Sequence, residues 1–206
     1  MTRTRALRII EILCWTGGLL LSGFFVSQLA VGEAERLNDI EAFQLAYNEQ
    51  PDQANWSPSR IAAWETSRAK KSDDVLAVLS IPSVELEVPV YQGASDFNMD
   101  RGAGIIDGTA SPDQTGNVGI SGHRDGYFRA LKDVQAGDSL LLQTPSGEKR
   151  YTIRETFIVD PVDVEVLDPT EQSTVTLVTC YPFYFVGSAP QRFIVRAEID
   201  NHHVNQ

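Results

Sequence analysis

Cysteine and histidine are scarce in this chain, with two Cys and three His among 206 residues. Two cysteines cannot form a disulfide framework or a Cys-only zinc site. Three histidines leave little material for a His-rich metal centre, so neither a metal nor a cofactor is expected. Positive charge is also short: 17 Lys and Arg stand against 28 Asp and Glu, a net charge of −11. A nucleic-acid binder needs a basic footprint, and none is present. Internal repeats and low-complexity tracts are absent as well. What remains is an ordinary globular composition, 42% hydrophobic and 22% charged. A chain of this length can bury a core without covalent staples.

The first thirty residues differ from the rest. Arg3, Arg5 and Arg8 precede a mostly apolar, uncharged run from Ile12 to Val31, and Glu33 and Glu35 follow it. About twenty helical residues rise about 30 Å, the thickness of a bilayer's hydrocarbon core. Arginines on the N-terminal side place that end in the cytosol and the remainder outside. Ala30-Val31-Gly32 resembles a weak signal-peptidase site, but the apolar stretch is long for a signal peptide, so a retained single-pass anchor is expected over 1–32. The residues beyond it carry −13, which keeps an exported domain soluble and off anionic lipid.

Residues 33–74 read as a helical stalk or linker. Leu37, Ile40, Phe43 and Tyr47 recur at helical spacing, Pro51 ends the run, and Ser57-Pro58 starts another. From Val75 the texture changes to short β-rich runs between turn clusters. Strands are expected at Val75–Ile81, Val84–Val90, Val118–Ser121, Ser139–Thr144, Lys149–Val159, Thr174–Thr179 and Arg192–Ile199. Seven or eight short strands with one or two helical turns suggest a closed β-barrel over 75–200. Residues 201–206 form a polar tail containing His202 and His203.

Cys180 is the only thiol of the exported part. It ends the β-branched run Thr176-Leu177-Val178-Thr179, and Tyr181-Pro182 follows. Proline cannot continue a central strand, so Cys180 falls at a strand end, where a side chain can face a cleft. A free thiol is mostly protonated at neutral pH and needs a base or cation beside it to act as a nucleophile. His123, in Gly119-Ile120-Ser121-Gly122-His123-Arg124-Asp125, is the one internal histidine of the exported part. Arg192 opens the last apolar strand and supplies a cation for a developing oxyanion. Each alone has a plainer reading, as buried packing, a loop residue and a surface charge. Together they offer acid or base, nucleophile and cation.

These residues resemble the sortases. Thr176-Leu177-Val178-Thr179-Cys180 matches the sortase signature Thr-Leu-x-Thr-Cys. His123 after a strand and Arg192 heading the final strand are similar to the family's catalytic histidine and arginine, and Ile81–Val90 resembles its opening strands. The likeness spans about 75–199. The stretch Cys180–Phe193 looks most like the sortases of Gram-negative bacteria. The resemblance implies a mainly β fold, an eight-stranded sortase-type closed barrel with short helices, behind a transmembrane helix and helical stalk. It implies a cysteine transpeptidase on the inner membrane, facing the periplasm, with His123, Cys180 and Arg192 as catalytic residues. Leu177, Thr179 and Tyr181 are the expected substrate-binding residues. The partner would be a substrate protein with a C-terminal sorting motif; the acceptor amine stays open, and water in its place gives hydrolysis.

Other signals weigh less. Gly102-Ala103-Gly104 starts like a dinucleotide fingerprint, but Asp107 occupies the third glycine position. Asp160, Asp163, Glu165, Asp168 and Glu171 match no definite calcium spacing and read as a solvated face. Phe183, Tyr184 and Phe185 are expected beside the cleft, and Asp125 reads as a turn carboxylate. Among other exported cysteine hydrolases, a caspase-like reading lacks the Gln-Ala-Cys-x-Gly signature. An L,D-transpeptidase would carry histidine where Val178 stands. A reading from a different class is a non-catalytic, membrane-tethered β-barrel binding module, which has no need of a reactive thiol.

Overall fold

Helix α1 (Thr2–Asn48) is continuous in a computed structural model that describes residues 2–48, 75–185 and 187–200. Its apolar stretch is open on all sides: Leu13, Trp15, Leu20, Phe24 and Phe25 are between 64% and 75% exposed. A helix that is apolar all round and covered by no protein matches a bilayer rather than water. It is the one helix among the described residues long and apolar enough to cross a membrane. The hydroxyls of Thr16 and Ser27 donate to the carbonyls of Leu13 and Phe24, at 3.1 and 2.7 Å. Both therefore find partners within the helix, as hydrocarbon surroundings demand.

The sequence reading divided anchor from stalk at 32/33, and α1 passes that boundary without a break. No proline falls before Pro51, and Gly32 stands in open space with nothing to kink against. The last turns dock on the domain beyond. Ile40 and Phe43 are buried with Val75, Val78 and Tyr91. Arg36 donates to the Glu87 carbonyl at 2.7 Å, and the Tyr91 hydroxyl donates to Asp39 at 2.6 Å. Burial, and then the Asp39 carboxylate, push the Tyr91 hydroxyl far above its ordinary pKa. The Ser57-Pro58 helix start, the rest of the stalk and the tail with its two histidines lie outside the described residues.

The remainder is a closed barrel. Its strands are β1 (Val75–Ile81), β2 (Leu86–Tyr91), β3 (Ala103–Ile105), β4 (Asn117–Ser121), β5 (Ser139–Thr144), β6 (Gly147–Val159), β7 (Thr174–Tyr181) and β8 (Gln191–Ile199). They close in the order β1-β2-β3-β4-β7-β8-β6-β5. The pairs β2–β3 and β4–β7 run parallel and the other neighbours antiparallel. The expected eight-stranded, mainly β barrel is what forms. Alternation sets which side chains fill it: along β5, Leu140, Leu142 and Thr144 are buried while their neighbours are partly open. Helix α2 (Asp96–Arg101) and short 3-10 turns at Pro82–Val84, Tyr127–Asp133 and Val164–Leu167 complete the described elements.

Two departures from the expected strands have local causes. Pro82–Val84 makes a tight turn, released by Glu85 in the left-handed region at φ 52°, so β2 starts only at Leu86. Strand β3 overlaps the discounted Gly102-Ala103-Gly104 segment. A Cβ on Gly104 would collide with the Gly93 carbonyl, so glycine there permits close approach of two backbones, not contact with a phosphate.

Candidate active site

Strands β4, β7 and β8 lie side by side, and their ends build the site. β7 is the central one, paired with β4 on one edge and β8 on the other. Its burial changes along its length. Thr174 to Leu177 are buried, whereas Cys180 and Tyr181 are half-buried. The β7–β8 register pairs Cys180 with Arg192, so thiol and guanidinium rise from directly opposed residues. The β4–β7 register pairs Ser121 with Val178. His123 follows two residues after β4 ends, beside the part of β7 that leads to Cys180.

The backbone before His123 is tightly held. The Gly122 amide donates to the Val178 carbonyl at 3.2 Å, and the Gly122 carbonyl accepts from the Thr179 hydroxyl at 2.7 Å. A Cβ on Gly122 would stand 2.8 Å from the Phe128 ring, so the aromatic core leaves room for glycine alone. The Gly126 amide closes the next turn onto the His123 carbonyl at 3.2 Å. These contacts orient a histidine whose side chain is 34% exposed.

The imidazole has a carboxylate beside it that the sequence did not announce. Nε2 of His123 lies 3.4 Å from Oδ1 of Asp100, on α2. The sequence drew attention to Asp125; the carboxylate that meets the ring comes from another element. Its neighbour Arg101 ties α2 down. The Arg101 guanidinium sits 4.4 and 4.2 Å from the Tyr91 and Phe97 ring centroids and 3.7 Å from Asp39. Its Nε is buried without a hydrogen-bond partner, and the two ring faces around it supply a cation–π setting instead. Asp39 belongs to α1, so the helix that carries the apolar N-terminal stretch also braces the element bearing Asp100.

Arg192 is half-buried, and its Nη1 donates to the carbonyls of Gln191 and Ala189 at 3.0 and 3.5 Å. Tyr181, Phe183 and Phe193 pack together against the core, with centroids 5.2 to 6.2 Å apart. The three aromatics expected to line the cleft divide: Phe183 is buried in the core, whereas Tyr184 is 74% exposed and Phe185 about half exposed. The expected substrate contacts divide as well. Leu177 is 0% exposed inside the barrel and Thr179 is 2% exposed with its hydroxyl spent on Gly122. Neither side chain is within a substrate's reach, because β7 turns both into the core. Tyr181 alone of the three reaches the rim. On the acidic stretch after β6, Asp163 accepts from the Asp160 amide at 3.0 Å, a turn-forming contact.

With strand ends, thiol, imidazole and guanidinium in place, the known proteins this chain is similar to become informative. The sortase domain model matches residues 79–200. Sortase D of Bacillus subtilis is 28% identical over 190 residues, covering 91% of this chain and 96% of that protein. Among solved structures, sortase A of Listeria monocytogenes is 29% identical, with a TM-score of 0.55, over 62% of this chain and 88% of that one. A Clostridium perfringens sortase D5 transpeptidase shares the fold at 23% identity and a TM-score of 0.58, over 78% of this chain and 99% of that one. The sortase domain spans the barrel from β1 to the end of β8, and the chain belongs to the sortase family of cysteine transpeptidases.

Proposed function

We propose that Cys180 is the nucleophile, His123 the general acid and base, and Arg192 the oxyanion-stabilising cation of this sortase. The observation that carries the reading is the pairing of Cys180 with Arg192 across β7 and β8, with His123 two residues beyond the end of the neighbouring strand β4. In acylation, the sulfur of Cys180 attacks a backbone carbonyl in the sorting motif of a substrate protein. Arg192 stabilises the tetrahedral oxyanion. As that intermediate collapses, the scissile C–N bond breaks and His123 delivers a proton to the departing amine. A thioester remains on Cys180. An acceptor amine that loses its proton to His123 then attacks the thioester, forms the new amide and frees the thiol; water in its place yields a free carboxylate. One hard exchange becomes two easier ones. Tyr181 and the loop aromatics Tyr184 and Phe185 border the substrate's path.

Helix α1 anchors the enzyme once in the cytoplasmic membrane, with the arginines at its N-terminal end inside and the barrel outside. The likeness of Cys180–Phe193 to Gram-negative sortases supports a periplasmic placement. The test uses the full-length chain in detergent with a library of sorting-motif peptides. A mass gain on Cys180 that hydroxylamine releases is expected, and the same gain is expected to be absent from Cys180→Ala and His123→Ala. No adduct from any peptide, while Cys180 alkylates like an ordinary thiol, would overturn the reading in favour of a binding module.

A further inference from the structure

Arg124 follows His123 directly, yet its side chain serves a different segment. Nη1 donates to the Pro182 carbonyl at 3.2 Å, and Nη2 donates to the carbonyls of Phe185 and Gly187 at 2.9 and 2.8 Å. The guanidinium carbon stands 5.9 Å from the Phe185 ring centroid. Among the described residues no carboxylate pairs with it. Its charge is spent on three carbonyls of the loop that leaves β7 after Cys180 and enters β8 before Arg192. Phe183 pins the start of that loop in the core against Tyr181 and Phe193, and the Arg129 guanidinium lies 5.0 Å from the Tyr184 ring centroid, but the stretch beyond Tyr184 has few other holds. Among the described residues, the loop's backbone makes one turn at Phe183-Tyr184 and no hydrogen bond to the barrel. The other side-chain donor to the loop is Arg192, through Ala189.

We infer that Arg124 is a positioning residue for acyl transfer, clamping the β7–β8 loop to the segment that carries His123. The inference rests on the catalytic reading above. Nucleophile and oxyanion cation stand on the paired strands β7 and β8, the acid–base group follows β4, and the loop that joins β7 to β8 carries no strand pairing of its own. Its aromatic residues also border the substrate's path. One guanidinium adjacent to His123 therefore sets the loop's place relative to Cys180. A lysine would serve poorly, because its ammonium is a point charge. The planar fork of arginine aims several N–H groups at separate carbonyls at once.

The test compares wild type, Arg124→Ala and Arg124→Lys in the full-length chain, using whichever sorting-motif peptide acylates the wild type best. Acylation is followed by intact mass, and Cys180 alkylation by iodoacetamide is followed against pH. In Arg124→Ala, kcat/KM for acylation is expected to fall by about 10- to 100-fold, the scale of an ångström-level misplacement. Alkylation, its pH profile and the melting temperature are expected to stay as in the wild type, and Arg124→Lys is expected to recover only part of the loss. Acylation by Arg124→Ala at the wild-type rate would overturn the inference while leaving the catalytic reading intact. So would full recovery in Arg124→Lys, or a parallel loss of acylation, alkylation and melting temperature. A wild type that no peptide acylates would bring down the catalytic reading, and this inference with it.

Discussion

Leu177 and Cys180 stand close together on strand β7 and occupy opposite environments. Leu177 is wholly buried in the barrel, while Cys180 is half-buried at its rim. Strand β8 shows the same change in reverse: Arg192 and Phe193 at its start are half-buried, and Ile194 and Val195 just beyond are fully enclosed. Each strand therefore has a half that holds the fold and an end that carries a proposed catalytic residue. Because the two strands are antiparallel and Cys180 pairs with Arg192, both reactive ends meet at one rim. A continuous ladder of hydrogen bonds joins the halves, so the core holds the half-buried ends in register.

Substitutions on either side of that divide should separate activity from stability. The largest effect is expected from Cys180→Ala, which should lower turnover by about 10,000-fold or more, as loss of a nucleophile does elsewhere, with no change in thermal melting. Arg192→Ala comes next, with a fall in kcat of about 100- to 1,000-fold and near-normal melting; comparable activity in both proteins would remove Arg192 from the chemistry. Leu177→Ala should do the reverse. Its urea midpoint should report a loss of about 2–5 kcal/mol, while the fraction still folded acylates at close to the wild-type rate. A Leu177→Ala protein that is stable but inactive would break the comparison and return Leu177 to the substrate site.

Thr179→Val probes the boundary between the halves. The substitution leaves the Gly122 carbonyl without its donor, at a cost of about 1–3 kcal/mol. Because that carbonyl immediately precedes His123, a smaller fall in kcat should accompany the loss. Denaturation and acylation measured on the same preparation would show whether the two move together. The smallest effect concerns alkali. The Tyr151 hydroxyl is buried in the barrel without a partner, and burial, helped by Asp113, pushes its pKa up to about 12. In the unfolded chain it ionises near pH 10 (about the ordinary tyrosine value). The stability this group contributes is whole below about pH 10 and is lost as the pH rises from there towards about 12. Tyr151→Phe should flatten that loss in denaturation curves taken on either side of about pH 10, and an unchanged slope would show that other groups govern it.

Much of the barrel could be read from local pattern. β1 and β5 run over the residues expected, and the strands around Cys180 and Arg192 extend one or two residues further. Those runs are short, rich in apolar or β-branched residues and end at turn residues, which are properties of neighbouring residues. β3 escaped because three residues flanked and interrupted by glycine carry no such pattern. Its pairing with β2 and β4 comes from backbones that approach where no side chain intervenes. Anchor and stalk divide at residue 32 by composition, and α1 runs through that point because the backbone has no stop signal there.

The candidate site divides in the same way. Cys180, His123 and Arg192 could be named from the sequence because each sits in a short motif whose chemistry depends on residue type. Leu177 and Thr179 were assigned to substrate because they share that motif, and only the direction in which β7 turns its side chains revealed their burial. Asp100 and the carbonyl contacts of Arg124 left no sign in the sequence, since both depend on segments far apart in the chain being brought together by a closed barrel. The sequence by itself determined the apolar anchor helix, most strands and the reactive residue types, all set by local propensity and hydrophobic pattern. Tertiary structure alone decided which side chains face the cleft, which carboxylate meets the imidazole and what holds the loop beside the thiol. Those outcomes follow from strand register and barrel closure, which join residues by spatial pairing and not by proximity along the chain.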